Sequence, residues 1–130
     1  MSAWWTLVGS NQTRTEIDVD NDPRLAAALR AVLEQAACRL ELSDESLQKL
    51  QIAAQEAWQN VWRSFNGASQ KLHLDCEEFP DRIELTFRCS GGSAAEIEAF
   101  ASGLRAKVDQ VSIETRSEKP ELKLIKYARR

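Results

Sequence analysis

The sequence predicts a two-layer α/β (α+β) sandwich, a mixed or antiparallel sheet covered on one face by three helices, and three observations carry that expectation. Three segments repeat apolar residues at helical spacing, each stripe confined to one side of its helix. Other segments alternate apolar and polar residues with the period of a half-buried strand. They follow one another as strand, helix, helix, hairpin, helix, hairpin. Helices and strands that are each apolar on one side bury those sides most economically when the helices stack on a single face of the sheet.

Residues 13–19 place Thr13, Thr15, Ile17 and Val19 on one face with charges between them, a first strand. Asn21-Asp22-Pro23 then supplies a cap and a first-turn proline, and Leu25, Leu29, Val32, Leu33, Ala36 and Leu40 recur along a first helix to about Leu40. Ser43, with Asp44 and Glu45 behind it, caps a second helix whose stripe is Leu47, Leu50, Ala54, Ala57, Trp58, Val61, Trp62 and Phe65, ended by Asn66-Gly67. Leu72, Leu74, Cys76 and then Ile83, Leu85, Phe87, Cys89 form a hairpin across the turn Phe79-Pro80-Asp81. After Ser90-Gly91-Gly92, the capping box Ser93-Ala94-Ala95-Glu96 opens a third helix that carries Ile97, Phe100, Ala101, Leu104 and Val108 inward and ends near Val108. Val111, Ile113 and Thr115, a turn at 118–121, and Leu122 with Leu124 complete a second hairpin.

At 130 residues with 43% hydrophobic and 28% charged composition, the chain is expected to form a single domain, 1–130, around one core. A net charge of −3 provides no basic face for nucleic acid. The opening Met1-Ser2-Ala3-Trp4-Trp5 lacks the basic patch and apolar run of a signal peptide, and no stretch approaches the roughly 18 apolar residues of a membrane span, so a cytoplasmic protein with no membrane partner is expected. Cys38, Cys76 and Cys89 are odd in number, widely spaced and at positions that read as apolar, which points to core packing, with a reactive thiol at Cys89 as the alternative. With His73 as the only histidine and no close cysteine pair, the sequence gives no support to a zinc site.

Within the second helix, Glu56-Ala57-Trp58-Gln59-Asn60-Val61-Trp62-Arg63, preceded by Leu50-Gln51-Ile52-Ala53-Ala54-Gln55, resembles the asparagine box of the GHKL (histidine-kinase-like) ATPase superfamily, in the form found in anti-sigma-factor serine kinases. The similarity covers Ile17 to Arg63 by motif, including the Leu42-Ser43-Asp44-Glu45 link, and the remainder by element order. It implies a Bergerat-type fold. Four residues apart, Glu56 and Asn60 project from the polar side of the helix. The resemblance implies that Glu56 descends from a general base for a substrate hydroxyl, and Asn60 from a ligand of the magnesium that bridges ATP phosphates.

Against that family pattern several pieces are missing. Cys89 stands where relatives carry the aspartate that accepts the adenine amino hydrogen, and a thiol is a poor acceptor. Gly92 runs almost directly into the helix opened by Ser93, leaving no room for an ATP lid, and Glu98, Ala99, Phe100 and Ala101 occupy the place of the phosphate-binding glycine box. Gly103 reads as a tolerated helix glycine. Gly91 and Gly92 are left as a candidate anion nest, and Phe65 stands where relatives often have a small residue. The expected function is therefore that of an anti-sigma-factor-like regulatory protein in bacterial signalling. It would bind a sigma factor, an anti-anti-sigma factor or another signalling protein without phosphotransfer and without a cofactor. The alternative is an ATP-dependent serine-protein kinase with an atypical nucleotide site, using Glu56, Asn60 and magnesium. A third reading is an unrelated α/β domain with a chance match at the boxed helix. Analogy with the family suggests a homodimer through the exposed edge of strand 13–19.

Overall fold

A computed structural model describes residues 5–10, 14–19, 24–64, 72–88, 94–116 and 119–128. The elements are β1 (Trp5–Ser10), β2 (Arg14–Val19), α1 (Leu25–Leu40), α2 (Asp44–Ser64), β3 (Leu72–Phe79), β4 (Arg82–Arg88), α3 (Ala94–Leu104), β5 (Gln110–Arg116) and β6 (Lys119–Tyr127). The six strands form one sheet in the order β1-β2-β3-β4-β6-β5, and every neighbouring pair is antiparallel. The open choice between a mixed and an antiparallel sheet is thus resolved in favour of the second.

Register explains why one sheet face is apolar. Ile17 lies opposite Leu74, Leu74 opposite Phe87, Phe87 opposite Leu122 and Leu122 opposite Ile113, so one apolar row crosses five strands. A parallel row runs through Cys76, Leu85, Leu124 and Val111. Leu29, Leu33 and Ala36 of α1, Leu50, Ala54, Ala57 and Val61 of α2, and Ile97, Ala101 and Leu104 of α3 join these rows in one buried cluster. The helices therefore lie on a single side of the sheet, as their stripes predict. Arg39 of α1 adds a charged tether, its guanidinium donating to both carboxylate oxygens of Glu78 on β3.

Local signals account for three of the element junctions, while α1 starts after Arg24 without a side-chain cap bond. The Ser46 amide donates to Ser43 Oγ at 3.1 Å, the expected cap of α2. Between α1 and α2 the chain turns at Glu41, whose φ of 57° is the left-handed conformation of a helix C-cap, and the Leu42 amide returns to the Ala37 carbonyl at 3.0 Å. Pro80-Asp81 makes a tight hairpin turn, with Arg82 stacked over the Phe79 ring at 3.9 Å.

Four expectations need correction. β1 is an additional strand, which sequence alternation hid because its register slips by one residue between Leu7 and Gly9. It covers one side of β2 while β3 covers the other, so strand 13–19 has no exposed edge for a homodimer. α3 ends at Leu104 instead of Val108, because the Lys107 amide bonds the Leu104 carbonyl and tightens the last turn, although Val108 is still buried. Cys38 is exposed, since α1 turns Ala36 and Ala37 inward and the next residue outward, whereas Cys76 is buried as expected. Residues 20–23, 65–71 and 89–93 lie outside the described part, and with them the cap at Asn21-Asp22-Pro23, the stop at Asn66-Gly67, the capping box at Ser93 and Cys89.

Candidate functional site

The boxed helix is α2, and its apolar side determines where its polar side points. Leu50, Ala53, Ala54, Ala57, Trp58 and Val61 are buried, which leaves Glu56 and Asn60 half-buried along the flank of the helix. Trp58 is 6% exposed and packs in the core, as its place on the stripe predicts. α3 runs beside this helix, and the turn that follows it brings Lys107 to Glu56. Lys107 Nζ lies 3.2 Å from Glu56 Oε1 and 3.4 Å from Oε2, so one ammonium spans both carboxylate oxygens. Asn60 turns its amide nitrogen back along the helix and donates to the Glu56 carbonyl at 2.8 Å.

These two residues are the part of the predicted site that the structure describes. Gly91, Gly92 and Phe65 lie outside the described residues, as do the side chain of Trp62 and the residue aligned with the adenine-reading aspartate. Gly103 sits near the end of α3, where an added Cβ would meet nothing within 4 Å, consistent with a helix glycine that has no tight approach to make. Lys107 carries no signal in the sequence. It sits in a turn 51 residues from Glu56, and only the packing of α3 against α2 joins them.

The fit to magnesium and ATP can be judged on these groups. Magnesium demands near-octahedral oxygen coordination and is usually held by carboxylates together with phosphate oxygens. On this flank the carboxylate carries an ammonium across both oxygens, and the neighbouring amide bonds the helix backbone through its nitrogen, the atom that does not bind magnesium. Glu56 and Asn60 do not by themselves make up a magnesium–nucleotide site, and no chemical step is derived through one.

Set against known proteins, the chain matches no family model and has no significant match among curated proteins. Among the described residues no helix is long and apolar enough to cross a membrane.

Proposed function

We propose that the chain is an anti-sigma-factor-like regulatory module on a degenerate Bergerat-type scaffold, acting by protein–protein binding in bacterial signalling and not by phosphotransfer. The observation that carries this reading is the Lys107–Glu56 ion pair. It sits on the residue that the resemblance makes the general base, and it ties that carboxylate to the turn after α3. Further support comes from the element order from β2 onward, which is the one the resemblance implies, and from the short link, residues 89–93, between β4 and α3 where relatives carry a lid. Phosphoryl transfer is mostly positioning and charge stabilisation, so a retained Asn60 without a cradle for the triphosphate supplies little of either. In this reading the partner is a sigma factor or an anti-anti-sigma factor.

Two titrations of the purified chain test the reading. In the first, magnesium ATP gives no saturable heat below the millimolar range. In the second, sigma factors and anti-anti-sigma proteins of the source organism are added singly without nucleotide, and one binds with micromolar or tighter affinity that magnesium ATP leaves unchanged. Micromolar ATP binding, with phosphate appearing on a partner serine and lost in Asn60→Ala, would replace this reading with the serine-kinase one. Failure of every such partner to bind would remove the anti-sigma assignment.

A further inference from the structure

The sheet face away from the helices carries a cluster that the reading above does not use. On β2 and β3 the register sets Glu16 opposite Asp75 and Asp18 opposite His73, all on that open face. Asp75 is only 5% exposed and is the buried charged residue among those described. Its two oxygens have different partners. Oδ2 accepts from the guanidinium groups of Arg14 and Arg88, each at 3.2 Å, while Oδ1 lies 3.3 Å from His73 Nε2. Glu16 is divided in the same way, with Oε2 toward Arg14 Nε at 3.6 Å and Oε1 3.3 Å from the same His73 Nε2. The other ring nitrogen, Nδ1, is 2.5 Å from Asp18 Oδ1.

An ionised carboxylate only accepts hydrogen bonds, so the short contact to Asp18 places a proton on Nδ1. The neutral ring then turns the bare lone pair of Nε2 toward two carboxylate oxygens, an arrangement that needs a cation among the three atoms. Either a second ring proton or a metal ion would serve. The spacing suits the metal: two ligand atoms each about 2.1 Å from a tetrahedral ion are roughly 3.4 Å apart, close to both 3.3 Å separations. Charge agrees, since Glu16, Asp18, Asp75 and Glu121, the last 3.2 Å from Arg88 Nε, give four negative charges against two positive ones on Arg14 and Arg88, a surplus of two anions.

We propose that Glu16, His73 and Asp75 bind a divalent ion of the zinc class on the open face of the sheet, with Asp18 as the residue that positions the imidazole. Ligand atoms of these three residues lie within 4.8 Å of one another. One nitrogen and two oxygens leave the fourth position of a tetrahedral ion to water. Asp18 acts as the carboxylate of a carboxylate–histidine–metal arrangement, fixing the tautomer and the ring orientation. The two arginines hold the outer oxygens so that Oε1 and Oδ1 face inward. The bound ion joins β2 to β3 across residues far apart in sequence.

His73 is the only histidine in the chain, so its ring nitrogens can be read without ambiguity. Zinc chloride is added to the metal-free, 15N-histidine-labelled full chain. The expected result is saturation at one equivalent with micromolar or tighter affinity, Nε2 moving to a metal-bound shift and Nδ1 still protonated. Glu16→Gln and Asp18→Asn should each weaken zinc binding by about 10-fold or more, and Cys38→Ser should leave it unchanged. Ring nitrogens that do not move at saturating zinc, or that are both protonated near neutral pH in its presence, would identify a proton-bridged ion network and overturn the proposal. Zinc binding that follows Cys38→Ser, and not Glu16→Gln, would overturn it as well. Because the cluster lies across the sheet from Glu56 and Asn60, none of these outcomes depends on the partner reading.

Discussion

Cys76 lies on the helix-facing side of β3, and burial pushes its thiol up from 9.0 to about 12. Between those values the unfolded chain gives up a proton that the native chain keeps. The neutral thiol's contribution is thus complete below about pH 9 and is lost as pH rises toward the folded value, by about 1.4 kcal/mol per pH unit at most. In urea titrations from pH 8 to 10.5, the stability advantage of the native sequence over Cys76→Ala should shrink once pH passes about 9. A constant difference would contradict a buried neutral thiol. Exposed Cys38 should be alkylated in the native state, with Cys76 reacting only after denaturation. The same contrast shows what single positions reveal in a sequence: a cysteine on a strand inherits the period-2 burial of its neighbours, while one beside a helix stripe is decided by about 100° of rotation.

The link between α1 and α2 is built from a left-handed Glu41 and a capping Ser43. Glycine adopts the left-handed conformation without a Cβ penalty, so Glu41→Gly should raise stability by roughly 0.5–1 kcal/mol. Ser43→Ala should lower it by about 1 kcal/mol through the lost cap. Thermal melts of the two variants, moving in opposite directions, check both. Periodicity made α1, β2, β3, β4, α3, β5 and β6 legible, and periodicity with the Ser43 cap made α2 so, because each encodes its burial within its own span. β1 was not legible, since a bulge breaks its period and its partner supplies the reason for it to be a strand. The candidate site divides along the same line. Glu56 and Asn60 are neighbours on one helix and show in the sequence as a pair. Lys107, and the grouping of Glu16 with His73 and Asp75, arise from pairings between distant segments that no local pattern records.

Across the whole molecule, one buried cluster joins all three helices to five of the strands. Phe87 lies within it, fully buried and paired with Leu74 on one side and Leu122 on the other. Phe87→Ala should therefore cost about 3–5 kcal/mol. Helical circular dichroism and tryptophan emission should still report a single shared transition, since they monitor one core. Separate transitions would mean that the helical layer and the sheet unfold independently. The β2–β3 pairing has a consequence for biogenesis. On a ribosome working at about 5–20 residues per second, the interval between Val19 and Leu72 corresponds to roughly 3–10 s of synthesis. Throughout that interval the β1–β2 ribbon emerges with its inner edge unsatisfied and waits for a partner encoded beyond two helices. The helical hairpin can close early from nearby contacts, but the sheet nucleates late, and the nascent ribbon is the segment that a chaperone would have to shield.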